Sequence, residues 1–204
     1  MYSRMKRFAV WIALLFSFPL LAHAHTDGRW VRQEASGAAP NFTLTNQDGQ
    51  KVSLRDLRGK VIVVNFIFTH CETGCLISTA KLKDVQNAFM DKPFHLVSIS
   101  FDPAHDTPAA MKEYAKRFRA DLANWTFLTG TPEEIEPVLF DYKIEVNRGG
   151  KKDATGAILT SSIVDHGMKS YVIDRAGTKR FEYWGQDFDT KVVMKDLAKL
   201  LSEQ

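Results

Sequence analysis

The sequence predicts an α/β domain, in which strands and helices alternate along the chain. Two runs point to it first: "VIVVNFIF" at 61–68 and "FHLVSIS" at 94–100 are β-branched, aromatic and nearly unbroken, as strands covered on both faces are. Each is followed by residues with helical spacing or helix-start chemistry. The 204 residues, 45% of them hydrophobic, suffice for one full core plus extras.

At the N-terminus, Arg4, Lys6 and Arg7 precede an apolar run from Phe8 to Ala22, and Ala22-His23-Ala24 suits a signal peptidase. Residues 1–24 therefore read as a cleaved secretory signal. The alternative is an uncleaved anchor, but the run is shorter than the roughly 20 apolar residues of a bilayer span and is interrupted by Ser17 and Pro19. Cleavage removes three of the 27 Lys+Arg and none of the 24 Asp+Glu, which leaves no net formal charge. No basic stripe argues for nucleic acid, and no cationic amphipathic helix argues for a membrane surface. The expected product is exported and periplasmic, or, with the segment retained, anchored to the outer face of the inner membrane.

Residues 25–39 are polar and weakly patterned and read as a flexible arm, leaving 40–204 as the folded domain. "APNFTLTNQDGQKVSLRDLRGK" alternates around Asp48-Gly49 and predicts a hairpin. The 61–68 strand follows, then a helix with Cys75, Leu82, Val85 and Phe89 on one stripe. After the second strand, Thr107-Pro108 caps a helix to about Arg119; "WTFL" is a third strand. Thr131 and Glu134 form a capping box for a helix to about Tyr142. "SYVID", a turn at Arg175-Ala176-Gly177, "KRFEYW" and a helix marked by Val193, Leu197 and Leu200 close the chain. This is a thioredoxin-like layout with an added N-terminal β-hairpin. Between Ile144 and Ile163 lies a Gly/Lys/Thr-rich stretch, read either as a hairpin excursion or as a flap leading to His166.

The layout sets "FTHCETGC" at the C-terminal end of a central strand, where α/β sheets carry their sites. Its cysteines, Cys71 and Cys75, are the only two in the chain. A disulfide between them would close a loop of about five residues, stabilising by about 2 kcal/mol against about 3 for fifteen residues, so it is a weak staple. Amides at a helix start favour thiolate and should lower the thiol pKa values. Two sulfurs on one side of a first turn can pair with each other or converge on a soft ion such as Cu(I).

A third ligand would come from a histidine. His23 leaves with the signal. His95 falls in a strand, and His105 reads as a solvated loop residue. His70 adjoins Cys71 but should point away from it. His25 would become the mature N-terminus, a weak Cu(II) chelate if it binds at all. His166, in "IVDHGMKSYVID", precedes a strand expected to run beside the one leading to Cys71.

"FIFTHCETGC", "SISFDPAHDTPAAMKEYAKRF" and "VDHGMKSYVID" together resemble the signature blocks of the SCO/SenC family, over the chain from about Pro40 onward. The resemblance implies a thioredoxin-like domain on the outer face of a membrane, with copper, Cu(I) or Cu(II), held by Cys71, Cys75 and His166. It further implies service to the CuA-bearing subunit of cytochrome c oxidase or another exported copper protein, and a thiol reductant protein that keeps the cysteines reduced. The family commonly has a proline after each cysteine, where this chain has Glu72 and Leu76; the Glu72 carboxylate would tend to raise thiol pKa values.

Two enzymes remain as alternatives. A periplasmic thiol-disulfide oxidoreductase would use Cys71 and Cys75 as a redox pair without metal, but such proteins carry CxxC and a facing cis-proline, and no proline follows Pro137 here. A peroxiredoxin needs T-x-x-C, whereas Thr69 stands only two residues before Cys71.

Overall fold

Seven consecutive buried residues, Val61–Ile67, make the central strand, and the β-branched and aromatic character that predicts it also lets it pack on both faces. The computed structural model describes residues 30–148, 163–166, 168–185 and 187–203. The leader expected over 1–24 lies outside them, as does the middle of the 144–163 stretch.

In chain order the elements are β1 (Val31–Glu34), β2 (Thr43–Asn46), β3 (Lys51–Ser53), a 3₁₀ turn (Leu54–Leu57), β4 (Val61–Ile67), α1 (Gly74–Ala88), β5 (Phe94–Ser100), α2 (Pro108–Arg117), β6 (Trp125–Thr129), α3 (Pro132–Asp141), β7 (Val146–Arg148), β8 (Ile163–His166), β9 (Lys169–Ile173), β10 (Lys179–Trp184) and α4 (Thr190–Ser202). Eight strands form one sheet in the order β1-β10-β9-β4-β5-β6-β2-β3. β4, β5 and β6 are parallel, β9 runs antiparallel to β4, and the β2–β3 hairpin joins the edge beyond β6. The expected α/β architecture with an added hairpin is present. Its turn works because Gly49 sits at φ +81°, which glycine adopts without penalty, while Asn46 Oδ1 accepts from the amides of Asp48 and Gln50 at 3.0 and 2.8 Å.

Local chemistry explains the helix starts. Thr107 accepts from the Ala110 amide ahead of Pro108, and Thr131 with Glu134 closes the predicted capping box. Val193, Leu197 and Leu200 are buried, as their spacing predicts. Inside, Trp125 stacks on Phe127 at 5.1 Å and donates to Ser98 Oγ, which donates to Asn65 Oδ1, so a chain of hydrogen bonds links β6, β5 and β4 within the core.

The arm expected over 25–39 is corrected by its second half. Val31–Glu34 pairs antiparallel with β10, and Ala38 bridges to Thr178. Arg32 makes a two-pronged ion pair with Asp196 of α4 at 2.6 and 2.9 Å, its guanidinium lying 4.4 Å from the Phe181 ring centre, and Tyr183 also donates to Asp196. Partners 164 residues away in sequence order this segment, which no local pattern announces. The 144–163 stretch is a hairpin excursion at its ends, where β7 pairs with β8.

His95, on β5, is buried; its Nε2 meets Thr126 Oγ1 at 2.8 Å, and Nδ1 has no hydrogen-bond partner among the described residues. Burial, with a smaller contribution from Lys60, lowers its pKa from 6.5 to about 4. The folded state thus keeps His95 neutral where the unfolded chain takes up a proton. Its stabilising contribution is complete above about pH 6.5 and is lost as pH falls toward 4. Urea midpoints at pH 7 and 4.5 should show His95→Gln losing about 2 kcal/mol less stability than the parent across that interval; equal losses would remove His95 as the cause.

Candidate metal centre

Where β4 ends, the chain turns through 68–73 into α1, whose cap residue Thr73 makes no side-chain hydrogen bond. Cys71 fills that role: the Cys75 amide donates to Cys71 Sγ at 3.2 Å. A helix start whose amide reaches a sulfur is a place for a soft anion. No disulfide joins the two cysteines, and both are buried, Cys71 8% exposed and Cys75 0%. The Cys75 carbonyl accepts from Ser78 Oγ at 3.1 Å and Tyr114 Oη at 3.3 Å, and Tyr114 also meets Thr79, so α1 is pinned to α2 just behind the sulfurs.

The expected lowering of both thiol pKa values fails at Cys75. Its hydrogen bond to the Cys71 sulfur, then burial, then the charge of Cys71 push it far above its ordinary value.

The loop ahead of Cys71 is tied down by a residue that sequence reasoning passed over as part of a turn. Asp106 is fully buried and accepts from the Thr69 amide at 3.3 and 3.2 Å, from Thr69 Oγ1 at 2.5 Å and from Ser100 Oγ at 2.6 Å. Burial raises its pKa, and the hydroxyls of Ser100 and Thr69 pull it back. The signal was there in an acid placed just before a Thr-Pro helix start, but burial cannot be read from a turn. His105 lies on the loop before α2, partly exposed, and its Nδ1 is 3.1 Å from each carboxylate oxygen of Asp102. His70 is exposed, with Nδ1 3.2 Å from Thr69 Oγ1. Glu72 is exposed too, and Leu76 packs at the edge of the core.

His166 ends β8, opposite Val146. Three residues later β9 enters the sheet, with Ser170 opposite Asn65 of β4. The backbone of His166 therefore arrives at the end of the sheet from which the cysteine loop departs. Among the described residues no three His, Cys, Asp or Glu side chains already converge on a metal position, so the sulfur pair is the core of the candidate site. One sulfur on the loop before the helix and one in its first turn, joined by the Cys75 amide, suit a soft ion.

The SCO1/SenC family model matches residues 31–202. The chain belongs to the SCO1/SenC family. A SCO1 protein homolog of Bacillus subtilis is 38% identical over 112 residues, 53% of this chain and 58% of that protein, so the SCO1/SenC chain here spans less than two thirds of that relative's length. Bradyrhizobium japonicum ScoI, solved with copper bound, is 28% identical with a TM-score of 0.66, covering 81% of this chain and 100% of that one. BsSco, a member of the Sco family of cytochrome c oxidase assembly proteins in which a disulfide switch was identified, is 28% identical with a TM-score of 0.67, covering 85% and 99%. The SCO1/SenC match begins at β1, consistent with that strand being part of the domain.

Proposed function

We propose that this chain is an exported copper-binding protein that holds the ion through Cys71, Cys75 and His166 and serves assembly of the CuA centre of cytochrome c oxidase. The observation that carries the reading is the sulfur pair at the start of α1, the Cys75 amide 3.2 Å from Cys71 Sγ. Further support comes from the backbone of His166 arriving at the same end of the sheet and from a relative solved with copper bound. The residues supply two soft donors and an imidazole, a set suited to both copper oxidation states; copper is the cargo here. Signal cleavage after Ala24 delivers the domain to the periplasm, and retention of the segment would anchor it to the outer face of the inner membrane. No helix among the described residues is long and apolar enough to cross a membrane. The partners are the CuA-bearing subunit or another exported copper protein, and a thiol reductant protein that keeps Cys71 and Cys75 reduced.

The metal-free oxidoreductase is the weaker account, since exchange requires an accessible thiolate and Cys75 is 0% exposed with its pKa raised. His166→Ala separates the two. It should weaken Cu(II) binding at least tenfold, about 1.4 kcal/mol, because Cu(II) favours nitrogen donors and a lone dithiolate is prone to oxidation. Exchange with a small disulfide should change much less. Unaltered copper binding with collapsed exchange would reverse the assignment.

A further inference from the structure

Beside the sulfur pair, and independent of it, stand two imidazoles whose ring centres are 6.1 Å apart: His70 on the loop after β4 and His105 on the loop before α2. Each is oriented by its Nδ1. His105 Nδ1 lies 3.1 Å from both oxygens of the buried Asp102 carboxylate, which can only accept, so this nitrogen carries the proton and Nε2 the lone pair. For His70 the relay is one step longer. Thr69 gives its hydroxyl proton to Asp106 Oδ1 at 2.5 Å, so its oxygen accepts from His70 Nδ1 at 3.2 Å, again leaving Nε2 with the lone pair. A carboxylate behind Nδ1 is the arrangement that fixes the tautomer and ring orientation of a metal-binding histidine.

We propose that His70 and His105 form a second metal site, for a borderline divalent cation such as Cu(II), with His70 Nε2 and His105 Nε2 as its protein ligands and water completing the shell. Imidazoles bound to one ion at about 2.0 Å have ring centres up to roughly 6.4 Å apart, so 6.1 Å fits a wide nitrogen–metal–nitrogen angle. Both rings are solvent-accessible, His70 at 57% and His105 at 33% of the side chain, so the ion can reach them. One of its two ligands, His70, is the residue before Cys71. The site goes beyond the proposed function and stands or falls without it.

The test uses the untagged full chain carrying Cys71→Ser and Cys75→Ser, which removes the sulfur site, titrated with Cu(II) alone. Pulsed EPR should detect imidazole coordination that is lost from a His70→Ala, His105→Ala double variant, and that variant's copper stoichiometry should fall by one. Each single variant should weaken the site at least tenfold, and Asp102→Asn should weaken it about tenfold while leaving two imidazoles bound. Circular dichroism monitors folding, and His105→Gln, which can still donate to Asp102, replaces His105→Ala if the loop collapses. Copper stoichiometry and imidazole signals unchanged in the double variant would overturn the proposal.

Discussion

Reduced protein is expected to hold one Cu(I) against a competing chelator, and protein oxidised to the Cys71–Cys75 disulfide essentially none. The two sulfurs stand at the start of α1, and the bond that joins them consumes both soft donors at once. What remains near the site is nitrogen, which suits Cu(II) and is stripped of Cu(I) by a strong chelator. The measurement is copper retained after gel filtration in chelator, on protein whose thiols have been counted. Equal retention by the two forms would mean that the cysteines are not the ligands, and the copper reading would fall with them. Essentially no retention by the oxidised form would make oxidation an off-switch, and that is the reason a thiol reductant is proposed among the partners.

Asp106→Ala should cost about 3–5 kcal/mol in urea unfolding and also weaken copper retention by the reduced protein. Breaking a buried charged network leaves its donors unmatched, and here the donors are the Thr69 amide, the Thr69 hydroxyl and the Ser100 hydroxyl. The gain from no longer burying a carboxylate, which the raised pKa of Asp106 records, offsets part of this. Because Thr69 stands two residues before Cys71, the freed loop no longer fixes the sulfur against the Cys75 amide. A loss below about 1 kcal/mol would show that water replaces the carboxylate without penalty.

The elements legible in the sequence were those written in local chemistry. Continuous apolar runs gave β4 and β5, Asp48-Gly49 the first hairpin, and Thr107-Pro108 and Thr131-Glu134 the helix starts, because strand burial, turn geometry and capping involve residues within a few positions of each other. Cys71 and Cys75 were legible for the same reason: spacing of four on a helix start is a local fact. His166 could be named only with the help of a family resemblance, since nothing within its own segment sets it apart from a structural histidine.

Tertiary structure decided the remainder. The strand at Val31–Glu34 exists because β10 offers an edge and Asp196 a partner for Arg32. The Cys75 thiol is pushed up rather than down because its hydrogen bond to the Cys71 sulfur, and then burial, outweigh the helix start. Asp106 and the His70–His105 pair acquire their roles from side chains brought together by the parallel crossover from β4 to β5. Propensity and spacing act through the chain's nearest neighbours, whereas charge, proton position and burial depend on whatever the fold brings within a few ångströms.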